Sequence, residues 1–178
     1  MTVVCAAHGA DGWYIGSDTR MTIGQDPVRT GEKWIVGEGV AIGVSGHSRV
    51  LEILRAERMR IFSDPDPWVM MGKLRRTMLD DGFQPEAEPG PRLFSVSAII
   101  VLPGYGIWHV DGALTPVRTI EKFLAIGSGA DHATGAAWAA QRQGPDTGAS
   151  NAVTMGIWAA IALDGACMGG EPWTAKLG

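Results

Sequence analysis

Glycine-punctuated, short apolar runs constrain this chain most. Twenty-five of its 178 residues are glycine. Many of them separate β-rich stretches too brief for helices, a pattern that demands several short strands joined by tight turns. Thr2 to His8 is the first such run, and Trp13 to Asp18 is its return across the hairpin signal Asp11-Gly12. A second hairpin runs from Lys33 to Val36, turns at Gly37 to Gly39, and returns over Val40 to Ser45. The polar stretch between them, Thr22 to Glu32, reads as a loop.

The period then changes. Val50, Leu51, Leu54 and Arg58 fall at helical spacing within His47 to Ile61, with His47 at the helix start. Ser63 to Pro67 supplies an N-cap for a second helix carrying Trp68, Met71, Leu74 and Met78 and ending near Gly82. Pro85 to Pro91 reads as a loop. Leu93 to Leu102 and Tyr105 to Val110 form a third hairpin, and Lys122 to Ile126 a short strand. Ala130 to Arg142 is a helix with a small-residue face; Asn151 to Leu163 is a helix apolar nearly all round, hence expected to be buried. The last segment adds an edge strand. Strands, two helices, strands, two helices, with no linker or repeat, fit one domain over residues 1–178. The fold class is α+β, a four-layer αββα sandwich of two antiparallel sheets flanked by helix pairs.

Composition excludes several functions. Fifteen basic against nineteen acidic residues leave a net charge of −4, without the basic footprint of a nucleic-acid binder. No apolar stretch reaches the ~18 residues of a membrane span. Cys5 and Cys167 make neither a disulfide framework nor a zinc motif, so a zinc site has no support. The N-terminus lacks the basic start and long apolar run of a signal peptide, so the expected location is cytoplasmic.

Hairpin arithmetic brings chemistry together. A turn centred between Ala10 and Asp11 sets Val3 opposite Asp18, with Thr2 beside it; a turn near Glu38 sets Lys33 near Val44, close to Ser45 and Gly46. Pattern leaves open whether the two hairpins adjoin. A small residue after the initiator permits Met1 removal, which would leave Thr2 with a free α-amine. That amine, with an ordinary pKa of about 7.7–8.0, can serve as base for the residue's own hydroxyl. A nearby lysine favours the alkoxide, an aspartate orients and charges the lysine, and a glycine N–H can receive an oxyanion. Taken singly, each has an ordinary structural reading: Asp18 as a turn residue, Lys33 as a solvated charge, Ser128 as a helix cap, Asp164 as part of a C-terminal turn.

As a set these residues resemble the proteasome β-type subunits and the bacterial HslV peptidase. Thr2 to Thr22 is similar to the family's threonine start and first hairpin. Glu32 to Val36 resembles its lysine-bearing strand, Ala41 to Gly46 the glycine-bearing strand, Ala125 to Ala133 its Ile-Gly-Ser-Gly segment, and Ala162 to Gly170 its late Asp…Gly-Gly segment. The resemblance implies an N-terminal-nucleophile fold and a threonine endopeptidase. In it Thr2 is nucleophile and base, Asp18 and Lys33 its ion pair, Gly46 the oxyanion donor, and Ser128 and Asp164 the groups around the amine. Arg20 lies behind the site; Met21, Val44 and Ser48 shape the pocket, and Thr22 and Ser48 pair with an extended substrate. It also implies a homo-oligomeric ring, peptide or unfolded-protein substrates, no metal or organic cofactor, and a possible ATP-dependent unfoldase partner, which would itself hydrolyse the ATP because this chain has no P-loop. Val3 and Cys167 depart from the family's polar residues, and the Asp18 to Lys33 interval is one residue short. Alternatives are an amidohydrolase of the same fold acting on a small amide, and a catalytically silent structural subunit.

Overall fold

Side-chain alternation sorts the strands into layers. The computed structural model describes residues 2–23, 26–29, 31–85, 94–142, 148–167 and 171–177, with 21–23 and 26–29 described as backbone only. The first sheet begins with β1 (Val4–Gly9) and β2 (Gly12–Ser17), paired Val4 to Ser17 through Gly9 to Gly12 as the hairpin arithmetic requires. Between them and the next hairpin lie β3 (Arg20–Ile23) and β4 (Asp26–Arg29). β5 (Trp34–Gly37) and β6 (Val40–Gly46) follow, pairing Gly37 with Val40.

Three helices come next: α1 (Ser48–Ala56), α2 (Arg58–Ile61) and α3 (Pro67–Asp80). They lead to β7 (Val96–Leu102), β8 (Gly106–Val110), β9 (Pro116–Arg118) and β10 (Phe123–Ile126). The helices α4 (Ala130–Arg142) and α5 (Ala149–Leu163) and the strand β11 (Trp173–Leu177) complete the described chain. One sheet has the order β10-β1-β2-β11 and the other β5-β6-β7-β8-β9, all antiparallel.

Three apolar layers follow from period-two alternation. Val3, Cys5 and Ala7 pack with Ala133, Ala137, Val153 and Ile157 of α4 and α5. Val4, Ala6 and Ile15 turn the other way, onto Ala41, Ile99, Val101 and Ile107 of the second sheet. The far face of that sheet, Val40, Ile42, Val44, Ala98 and Ile100, packs on Leu51, Leu54, Met70, Leu74 and Met78 of α1 and α3. Burying each large apolar side chain contributes about 1.5–3 kcal/mol. The architecture is the expected α+β sandwich: helices, sheet, sheet, helices.

Three expectations need correction, and one strand was not foreseen. Thr22 to Glu32 is not simply a loop: backbone pairing of β3 with β4 makes a two-stranded ribbon. Such a ribbon belongs to neither sheet and needs no alternation of apolar residues, so the pattern gave no signal. The helix over 47–61 is two helices, broken where Glu57 leaves helical geometry (φ −102°, ψ 12°). β9 was not foreseen; its proline opens a short strand at a sheet edge, where a missing N–H costs least. Finally, α5 is not buried all round, because Met155, Trp158 and Leu163 are exposed. Residues 86–91 of the loop over Pro85 to Pro91 lie outside the described residues, as do Met1 and 168–170. No helix among the described residues is long and apolar enough to cross a membrane.

Candidate active site

The register of the first hairpin fixes one corner. Asp18 follows β2 directly and donates its backbone N–H to the Val3 carbonyl at 3.2 Å, which sets its carboxylate beside the chain start. Thr2, Asp18 and Lys33 are all buried, at 6%, 0% and 5% exposure. For three polar side chains this is costly unless each is partnered. Asp18 Oδ1 accepts the Thr2 hydroxyl at 2.6 Å, the Val3 N–H at 2.9 Å and the Lys33 ammonium at 2.6 Å. Its other oxygen accepts the Arg20 N–H at 3.2 Å.

Lys33 arrives from the other hairpin, immediately before β5. Its carbonyl accepts the Val44 N–H at 2.9 Å, the continuation of the β5–β6 ladder. Its own N–H donates to the Ser17 hydroxyl at 3.2 Å, so Ser17 stitches the two hairpins together. The Lys33 ammonium also hydrogen-bonds Thr2 Oγ1. The hydroxyl therefore donates to a carboxylate and accepts from an ammonium at once. Burial holds the Lys33 ammonium below lysine's ordinary range, against the pull of Asp18, which favours the charged form.

Gly46 ends β6 on the rim, with φ +121°. A Cβ there would lie 2.3 Å from the Ser95 carbonyl oxygen, so only glycine fits this bend. Gly127 is constrained more tightly still: at φ +96°, a Cβ would lie 2.1 Å from the Thr2 carbonyl oxygen. That close approach brings the next residue, Ser128, to Thr2, with Oγ 3.5 Å from the same carbonyl oxygen. Ser128 is in turn a hydrogen-bond partner of Asp164, the C-terminal cap of α5. The Ala166 N–H, donating at 2.9 Å, and then Ser128 hold the Asp164 carboxyl below the usual carboxylate range. Cys167 donates to the same carboxylate at 3.5 Å, and burial pushes its thiol up to about 12, so it remains a protonated donor.

Arg20 donates to the Gly165 carbonyl at 2.7 Å, tying the end of α5 to the start of β3. A cleft of about 370 Å³ opens over these groups. Thr2, Arg20, Lys33, Val44, Gly46, Ser48 and Ser128 line it, together with Ser45, His47 and Leu51. The structure thus brings all the expected residues with described side chains to one place, with Asp164 just behind Ser128. For Met21 and Thr22 only the backbone is described, in β3. Leu51 and His47 were missed as cleft residues. Leu51 was visible only as a helix core position, and His47 only as a helix start. Among the described residues no group of three or more metal-binding side chains exists.

A proton acceptor, an ammonium and a hydroxyl held within one buried cluster, open to a cleft, can activate an oxygen nucleophile. No protein-family model matches the sequence, and no curated protein matches it. Solved structures do. A structure described as Thiobacillus denitrificans BPH in complex with epoxomicin is 20% identical, covers 99% of each chain and superposes with a TM-score of 0.77. A second structure of Thiobacillus denitrificans BPH is 18% identical, over 99% of this chain and 98% of that one, with a TM-score of 0.78. Eukaryotic HslV from Trypanosoma brucei is 16% identical over 98% of this chain and 99% of its own, with a TM-score of 0.68. The fold is the HslV and proteasome β-type fold.

Proposed function

We propose that this HslV and proteasome β-type fold carries a threonine endopeptidase whose nucleophile is Thr2, freed by removal of Met1. The observation that supports the reading most is the Thr2 hydroxyl held between the Asp18 carboxylate and the Lys33 ammonium at the floor of a cleft. Thr2 Oγ1 attacks the carbonyl carbon of an extended peptide, and its proton passes to the freed α-amine. Lys33 stabilises the developing charge on Thr2, and the Gly46 N–H receives the oxyanion. Asp18 keeps Lys33 charged and fixed. The amine's proton then goes to the leaving nitrogen, and the C–N bond breaks. Water hydrolyses the Thr2 ester by the same route, regenerating hydroxyl and amine. Ser128 and Asp164 orient the Thr2 end of the chain. No metal or organic cofactor takes part.

Val44 and Leu51 give the cleft an apolar wall, favouring a hydrophobic residue before the scissile bond. Subunits assemble in a homo-oligomeric ring, and an ATP-dependent unfoldase feeds it. Exposed Met59, Trp68, Trp138 and Leu163 support assembly, since large apolar side chains are costly in water. The same exposure weighs against a protein that works as a monomer on small amides.

Intact mass and peptide cleavage test the reading together. The purified protein should weigh one methionine less than the full chain, should cleave casein peptides, and should lose cleavage on Thr2→Ala. An enzyme that keeps Met1, or a Thr2→Ala variant that cleaves normally, overturns it. Hydrolysis of small amides without casein cleavage would favour the amidohydrolase alternative.

A further inference from the structure

His47 follows Gly46 directly and lines the cleft beside Thr2 and Lys33. It is exposed, and it caps α1: its Nδ1 accepts the Arg49 N–H at 3.2 Å. The backbone is pinned on the other side, where the His47 N–H donates to the Ser95 carbonyl at 3.2 Å. The ring stands edge-on to Phe83, centroids 5.3 Å apart and planes at 86°. Cap and ring contact together fix the imidazole. An Nδ1 that accepts carries no proton, so the neutral ring holds its proton on Nε2. The helix cap has thereby selected the tautomer whose free atom is a donor.

Position gives that donor a use. His47 and Ser48 also line a second groove of about 530 Å³, walled by Arg49, Ile53 and Asp81. The ion pair of Arg49 with Asp81, at 2.5 Å, stiffens its far side. A chain leaving the cleft on this side crosses the imidazole.

We propose that His47 is a substrate-contacting, substrate-positioning residue, whose Nε2–H donates to a backbone carbonyl of an extended peptide passing from the Thr2 cleft into the second groove. This rests on the peptidase reading, which names the ligand as a peptide. The ligand class is an unfolded polypeptide, recognised through main-chain acceptors.

Binding to a protein that cannot turn over separates the two ideas. On the Thr2→Ala background, a fluorescein-labelled casein peptide is titrated by anisotropy. His47→Asn keeps a good capping acceptor but draws its N–H donor back toward the backbone, short of the imidazole Nε2 position; His47→Gln carries an N–H donor out to longer reach and gives up the cap. His47→Asn should weaken binding about fivefold to tenfold, the range of one lost hydrogen bond, and His47→Gln by less than about twofold. In ¹⁵N-histidine spectra the His47 Nε2–H resonance should move on peptide addition. Unchanged binding by His47→Asn, an equal loss in both variants, or an unmoved resonance each overturns the inference. Failure of the Thr2 protein to cleave any peptide overturns the peptidase reading instead, and leaves these binding outcomes decisive for His47.

Discussion

Lys33 concentrates the energetics of the site. Its ammonium is buried, and the Asp18 carboxylate and the Thr2 hydroxyl partner it there. Breaking such a pair by removing one member leaves an uncompensated buried charge, at a cost of about 3–5 kcal/mol. Because burial lowers the folded-state pKa of Lys33, the folded protein sheds this proton more readily than the unfolded chain does. The penalty is fully present below the folded value and is relieved as pH rises from that value towards lysine's ordinary 10.5. Activity runs the opposite way, since the proposed step uses the charged form. The alkaline limb of kcat should therefore fall below pH 10.5. Asp18→Asn withdraws the main group favouring the charged form, so it should move that limb further down and cut kcat by about 10²–10⁴-fold. A pH–rate profile of both proteins checks this; a limb unmoved by Asp18→Asn contradicts it.

At the level of elements, a turn residue holds a distant helix. Asp11 sits in the β1–β2 turn, yet its carboxylate accepts the N–H groups of Ala149 at 2.8 Å and Ser150 at 3.1 Å. These are orphan donors at the start of α5, where Gly148 offers no side-chain cap. Burial pushes the Asp11 carboxyl up, but the backbone donors outweigh it and its pKa is lowered. Its contribution is thus present above the unfolded value of about 3.9 and is lost as pH falls through the lower folded value. Asp11→Ala should destabilise the fold by about 1 kcal/mol, read as a lower urea midpoint with unchanged slope. The loss should shrink in acid. The Asp11-Gly12 pair announced the hairpin from sequence; its second task did not show, because residues 138 and 139 positions away enter no local pattern.

The whole molecule decides whether the site exists, because its halves belong to different sheets. Gly43 lies where β6 crosses β1 and β2: a Cβ there would lie 2.5 Å from Val4 Cγ1 and 3.1 Å from Ile15 Cδ1. Gly43→Ala must displace the Val4 side chain or part the sheets. The expected loss of stability is about 1–3 kcal/mol. Activity should fall by more than that loss explains, since Lys33 and Gly46 ride on one sheet and Thr2 and Asp18 on the other. Denaturation and casein cleavage on the same sample check it; a stable, fully active Gly43→Ala protein refutes it.

The sequence alone determined the strands of the two hairpins, the main helices and their order, though not β3, β4, β9 or the break before α2, along with the register that sets Thr2 beside Asp18 and Lys33 beside Val44. These rest on interactions between residues close along the chain, where turn chemistry and alternation leave readable marks. It also placed Ala130 to Arg142 as a helix with a small-residue face; that this face turns inward came from the structure. Tertiary structure alone decided that the two hairpins stack, that Ser17 bonds Lys33, that Ser128 reaches Thr2 under Gly127, and that His47 faces the cleft. Those contacts are set by how one sheet packs on another. Packing depends on shape and volume summed over many side chains, and no spacing of residues along the chain encodes it.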